Sequence, residues 1–129
     1  MTICTVNGCF DGPTLHQGHT FFLGYAAALA DNLIVGINSD EYIVKYKRFT
    51  PFCNQEERKD RLLELGFIRN VVVFEEDNPL KFIGRVSPDV HCTGVEYIDA
   101  CPEKEFCLMH GIRLVFIPRI GKYSTSSLD

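Results

Sequence analysis

Two histidines stand three residues apart in His16-Gln17-Gly18-His19, shortly after the run Asn7-Gly8-Cys9-Phe10-Asp11-Gly12. That run itself follows an apolar stretch, Ile3-Cys4-Thr5-Val6. Glycines after a strand let the backbone pass close to a ligand. A helix that starts beyond them offers unpaired N–H groups and a partial positive charge, which suits phosphate. At that spacing both imidazoles lie on one side of the first turn. Their N–H groups can reach phosphate oxygens, with or without a charge. The alternatives are a helix cap, a surface pair, or a zinc site. Zinc would need a third ligand, and the adjacent sequence supplies none.

Other residues could serve the same anion. Lys47 sits in Lys45-Tyr46-Lys47-Arg48, which by itself reads as a solvated basic cluster. Arg58 lies on an amphipathic helix, where pairing with Glu57 is the plain reading. Thr93-Gly94-Val95-Glu96-Tyr97 follows a short apolar run. Arg119 follows the last one, and Ser124 and Thr125 stand in the hydroxyl run Ser124-Thr125-Ser126-Ser127.

Five elements of one kind and five of another must position these groups. Strands are expected at Ile3–Val6, Asn32–Asn38, Val71–Phe74, Val90–Cys92 and Arg113–Ile117, as continuous apolar runs rich in Val and Ile. Helices are expected from Thr20 to Ala30, from Ser39 for a short stretch, from Asn54 to Leu65, from Pro79 towards Arg85, and from Glu103 to His110. Gly24 is a blemish in the first. Asn54 and Glu57 form a capping-box pattern, and Gly111 stands where a helix ends. This alternation predicts an α/β fold: one doubly wound parallel sheet of five strands in a single domain spanning residues 1–129. Ligands then bind beyond the carboxyl ends of the strands, so the loops after the first, fourth and fifth strands carry the chemistry.

Composition narrows the field. The chain has 129 residues, 46% of them hydrophobic, enough for a core. Acidic residues outnumber basic ones, 17 to 13, which argues against nucleic acid as a partner. No apolar run approaches the roughly 20 residues of a membrane span, and Met1-Thr2-Ile3-Cys4 does not open a signal peptide, so the cytoplasm is the expected address. The cysteines at 4, 9, 53, 92, 101 and 107 lack paired spacing. Reduced, mostly buried thiols are expected rather than a disulfide frame or a zinc site of His91, Cys92, Cys101, Cys107 and His110.

The ordered landmarks together resemble the nucleotidylyltransferase family that includes the cytidylyltransferases, in which Gly-x-Phe-Asp leads into His-x-Gly-His. Asn7-Gly8-Cys9-Phe10-Asp11, Leu33-Ile34-Val35-Gly36-Ile37-Asn38-Ser39-Asp40, Phe74-Glu75-Glu76-Asp77-Asn78-Pro79, Pro88-Asp89-Val90 and Ser124-Thr125-Ser126 carry the likeness. It is strongest to the adenylyltransferase domain of ADP-heptose synthase, then to glycerol-3-phosphate cytidylyltransferase. The resemblance implies a Rossmann-like fold and a reaction. A sugar or polyol phosphate attacks the α-phosphorus of a nucleoside triphosphate, ATP in the heptose type, and pyrophosphate leaves. It implies His16, His19 and Lys47 as catalytic residues. It implies Gly8, Cys9, Phe10, Asp11, Gly18, Arg58, Gly94, Glu96, Arg119, Ser124 and Thr125 around the nucleotide, Mg²⁺ on the triphosphate, no metal ligands in the chain itself, and a homodimer.

Departures from the family pattern are also visible. Gly12, Pro13, Thr14 and Leu15 separate Asp11 from His16, a longer gap than usual; the extra length either bulges outward or reshapes the site. Arg48 stands where Gly is usual, Thr93 where heptose-type members have Lys, and Val95-Glu96 where they have Gly-Asp. Only Ser126–Asp129 follow the Ser-Thr motif, so the family's terminal helix is expected to be short. The competing readings are a CTP-dependent glycerol-3-phosphate enzyme and a nucleotide-binding module without catalysis.

Overall fold

A computed structural model describes residues 1–75 and 79–118. Five strands, β1 (Ile3–Gly8), β2 (Asn32–Asn38), β3 (Asn70–Phe74), β4 (Val90–Gly94) and β5 (Arg113–Ile117), form one sheet in the order β3-β2-β1-β4-β5. Every pairing is parallel, as the apolar runs predicted. The order reverses direction between β1 and β4, which opens a crevice above their carboxyl ends.

Alternate residues of each strand feed two cores. Cys4, Val6, Leu33, Val35, Ile37 and Val71 pack with Leu23 and Ala26 of α1 (Gln17–Ala27) and Leu62 of α3 (Gln55–Leu63). On the other face Ile34, Val72 and Leu114 pack with Phe82 and Ile83 of α4 (Leu80–Val86) and Cys107 of α5 (Glu103–Met109). Gly36 is required there: a Cβ on it would meet the Phe82 ring at 2.7 Å. The sheet is thus covered on both sides.

Several boundaries shift from the sequence reading. Helix α1 begins at Gln17, not Thr20, because the His16 ring caps it, and it ends at Ala27. Imidazole is not among the usual capping groups, so the sequence pointed to a later start. Gly24 faces open space, which explains its tolerance. Ser39 caps the short α2 (Asp40–Tyr42) as expected, but the chain then continues as a π-helix, Ile43–Lys47. Asn54 and Glu57 close a full capping box on α3. Gly111 adopts φ +68 after α5. The six cysteines are free thiols. Among the described residues no three His, Cys, Asp or Glu side chains converge to hold a metal, and no helix is long and apolar enough to cross a membrane.

His91 of β4 is fully buried beside Thr5, whose Oγ1 lies 2.8 Å from its Nδ1. Burial pushes its pKa down from 6.5 to about 4. The folded state therefore holds this proton more weakly than the unfolded chain. Stability from a neutral His91 is fully present above pH 6.5 and is lost as pH falls through 6.5 towards 4. The full effect is about 3 kcal/mol. Urea melts between pH 7.5 and 4.5 check this: the wild-type chain should lose stability across the window and His91→Gln should lose clearly less. Parallel profiles would remove His91 as the cause.

Candidate active site

Strand β1 delivers its carboxyl end, Gly8, to the crevice. A Cβ on Gly8 would press on the Phe10 ring at 3.1 Å, because Phe10 turns back with φ +48. Side chains from elsewhere hold this bent loop in place. The Asp11 carboxylate accepts the amides of Phe52 at 2.8 Å and Cys53 at 3.0 Å. Burial by itself would raise the Asp11 carboxyl. The amides of Cys53, Phe52 and Gly12, with the Arg58 charge, outweigh it and hold the group below the usual carboxylate range. Asp11 is therefore a loop anchor, with both oxygens engaged.

Arg58 was expected on the helix surface, or in a functional or pocket-shaping role at the nucleotide. It is 0% exposed and lies behind the cavity, not in its lining. Its Nη1 donates to Cys9 O at 3.0 Å, its Nε to Cys53 O at 3.2 Å, and its Nη2 to Asp40 Oδ1 at 2.7 Å. It ties the β1 loop, the β2 exit and α3 together, which is a pocket-shaping role. Arg61, one turn further along α3, donates to Phe10 O at 2.6 Å and Gly12 O at 2.8 Å. The sequence reading missed Arg61. The available signal was a second Arg at i+3 from Arg58 on the same helix face.

The anchored loop leads into the histidines. His16 Nδ1 accepts the His19 amide at 3.2 Å as the cap of α1. A nitrogen that accepts carries no proton, so Nε2 holds the ring's donor hydrogen. The two rings stack with centroids 3.7 Å apart, and Phe10 meets His19 edge-on at 5.5 Å. Both rings line a cavity of about 920 Å³ with Gly8, Cys9, Phe10, Asp11, Gly18 and Gly94. Pro13 and Thr14 of the longer loop form part of its wall and leave the His pair facing in.

Lys47, at the end of the π-helix, enters the same cavity, with Nζ 3.2 Å from Cys9 Sγ. Arg48 does not line it; it takes the left-handed conformation, φ +61, that ends the helix. That conformation accounts for the family's Gly at this point. Across the crevice Glu96 lines the cavity and folds its carboxylate into the space a Cβ on Gly94 would fill. Arg119, Ser124 and Thr125 lie outside the described residues. The sequence reading did not name Asn7 of β1, Phe49 or Tyr97 as site residues, though they line the cavity, since single amide or aromatic residues carry no spacing signal. A smaller cavity of about 250 Å³ adjoins, lined by Asn38, Tyr42 and Glu103 and sharing Asn7, Lys47 and Thr93 with the first.

Cys9 gives a direct probe of the main cavity. N-ethylmaleimide should label it in the free protein, a bound nucleoside triphosphate should block the labelling, and buried Cys4, Cys92 and Cys107 should stay unmodified. Peptide mapping by mass spectrometry reads the result. Equal labelling of Cys9 at saturating nucleotide would place the nucleotide elsewhere.

Known proteins resemble this chain in sequence and in fold. A model of the cytidylyltransferase-like family matches residues 5–117. The bifunctional protein HldE of Helicobacter pylori (strain P12) is 41% identical over 113 residues, covering 83% of this chain and 24% of that protein. HldE of Nitrobacter winogradskyi is 38% identical over 124 residues, covering 95% of this chain and 25% of that protein. The chain thus spans about a quarter of the length of these relatives. Among solved structures, the lipopolysaccharide core biosynthesis protein from Thermoplasma volcanium GSS1 superposes with a TM-score of 0.77 at 23% identity, over 94% of this chain and 99% of that one. Pantothenate synthetase from Thermus thermophilus superposes with a TM-score of 0.65 at 14% identity, over 93% of this chain and 56% of that one. These two likenesses speak to the fold.

Proposed function

The chain belongs to the cytidylyltransferase-like family of nucleotidyltransferases, and from that premise we propose that it transfers the adenylyl group of ATP to a sugar phosphate such as heptose 1-phosphate. One observation carries the proposal. Lys47 lines both the large cavity, which holds His16 and His19, and the smaller cavity beside it. It therefore stands at the junction of the two spaces, where a donor triphosphate and an anionic acceptor would meet.

In this reading an acceptor phosphate oxygen forms a bond to the α-phosphorus. The bond to the bridging oxygen breaks, and pyrophosphate leaves with its electron pair. The nucleophile is already anionic, so positioning and preorganised charge do the work. His16 and His19, both in the cavity lining, would face the phosphates as charge moves to the leaving group. Lys47 offsets the repulsion between the two anions. The amides of Asn7 and Asn38, the Tyr42 hydroxyl and the Glu103 carboxylate suit a polyhydroxylated acceptor in the smaller cavity.

The described residues form no cage for a metal, and both Asp11 oxygens serve the loop. Mg²⁺ fits as an ion carried in by the triphosphate oxygens and water, where it would neutralise charge on the leaving group. The resemblance also supplies the expectation of a homodimer working in the cytoplasm. Placement of the His pair in the cavity despite the longer loop favours catalysis over mere nucleotide binding.

A pyrophosphate-release assay with ATP, CTP, GTP and UTP, each with heptose 1-phosphate or glycerol 3-phosphate, tests the reading. ATP with heptose 1-phosphate should turn over fastest. CTP with glycerol 3-phosphate as the preferred pair would replace it, and nucleotide binding with no turnover would remove catalysis. His16→Asn separates chemistry from folding, because Asn is itself a good helix cap. It should keep the melting temperature and lower kcat/KM about 100-fold or more. Near-normal turnover in His16→Asn would remove the histidine assignment.

A further inference from the structure

Four residues separate Asp11 from His16, and their path begins at two backbone positions with positive φ, Phe10 at +48 and Gly12 at +115. A loop of that length and bend must be held from outside if the imidazoles at its end are to keep one position. The Arg61 fork grips it at two points: Nη2 donates to Phe10 O at 2.6 Å and Nη1 to Gly12 O at 2.8 Å. Nη1 also lies 3.8 Å from Cys53 Sγ, whose thiol donates to the same Gly12 carbonyl at 3.5 Å. Between the two gripped carbonyls, Asp11 bonds the amides of Phe52 and Cys53. Three consecutive residues are thereby fixed to one strip of chain. Arg61 Nε is buried with no partner among the described residues, so the side chain bears a desolvation cost to place its fork.

We propose that Arg61 is a positioning residue for nucleotidyl transfer. By pinning the carbonyls on either side of Asp11 it holds the longer loop, and through it the stacked His16 and His19 rings, at the phosphates. Helix α3 has its own capping box and the Arg58 strut, so the Arg61 fork governs the loop more than the helix. A planar guanidinium spans two carbonyls at once; an ammonium does not.

The rate part of this proposal rests on the transfer reading, but the positional part can be read without turnover. The chain has 4 histidines, and Arg61 should influence only two of them. In ¹H–¹⁵N imidazole spectra of Arg61→Gln, the His16 and His19 signals should shift or broaden while those of His91 and His110 stay in place. With ATP, kcat should fall about 10- to 100-fold while the nucleotide KM stays within about 3-fold. Free guanidinium should restore part of the rate to Arg61→Gly. Should Arg61→Gln fail to fold, Arg61→Lys keeps stem and charge and should show the same split. Unmoved His16 and His19 signals in a folded variant would overturn the proposal. So would a rate loss that guanidinium does not relieve while wild type turns over normally. If wild type turns over no nucleotide, the transfer reading falls, and the imidazole spectra alone decide for or against Arg61.

Discussion

The site depends on one buried cation. The Arg58 guanidinium is fully enclosed, and its cost of desolvation is met because its donors go to Asp40, Cys9 and Cys53. A buried ion pair of this kind contributes little net stability over an apolar substitute. What it contributes is registry. Removing Asp40 would leave the enclosed guanidinium without its counter-charge, so the three segments cannot drift apart cheaply. Asp40 extends the link: its amide donates to Gln55 Oε1 at 3.0 Å, and its Oδ2 accepts the Gln55 amide at 3.0 Å. The β1 loop, the β2 exit and the start of α3 therefore move as one block.

On the proposed transfer reaction, that block is what would bring two anions together. The His pair hangs from the β1 loop, and Lys47 hangs from the helix at the β2 exit. The Arg58 and Asp40 links join these two groups beside the sheet, and Asp11 and Arg61 add further ties to the same loop. With them, the distance from imidazole to ammonium is set by a short chain of charge-assisted bonds, which are the strong ones. A reaction that relies on positioning instead of a general base needs that kind of stiffness.

Much of this was legible in the sequence, and the reasons are physical. The five strands announced themselves because a sheet covered on both faces needs continuous apolar runs. The crevice followed from strand order, and His16, His19, Gly8 and Gly94 do line it. The partners of Arg58 were not legible, because a helix periodicity shows which face a residue occupies, not that Cys9, Cys53 and Asp40 converge on it from distant positions. The start of α1 was misread because the capping group is an imidazole. The π-helix left no signature, since one extra residue per turn does not disturb so short a pattern.

The departures from the family pattern are each absorbed near where they occur. Arg48 sits at φ +61, a conformation that costs a non-glycine residue about 1–2 kcal/mol. The cost falls at a helix end, outside the cavity lining, while its neighbour Lys47 reaches the reacting space. The longer first loop places Pro13 and Thr14 in the cavity wall, and its bend is taken up at Phe10 and Gly12. Thr93, where heptose-type members have Lys, lines the boundary shared by the two cavities. On the proposed reaction, a neutral side chain there would leave Lys47 to face the acceptor phosphate with less help. On that reading the consequence would fall on the acceptor side, because His16 and His19 are held separately, by the His16 cap of α1.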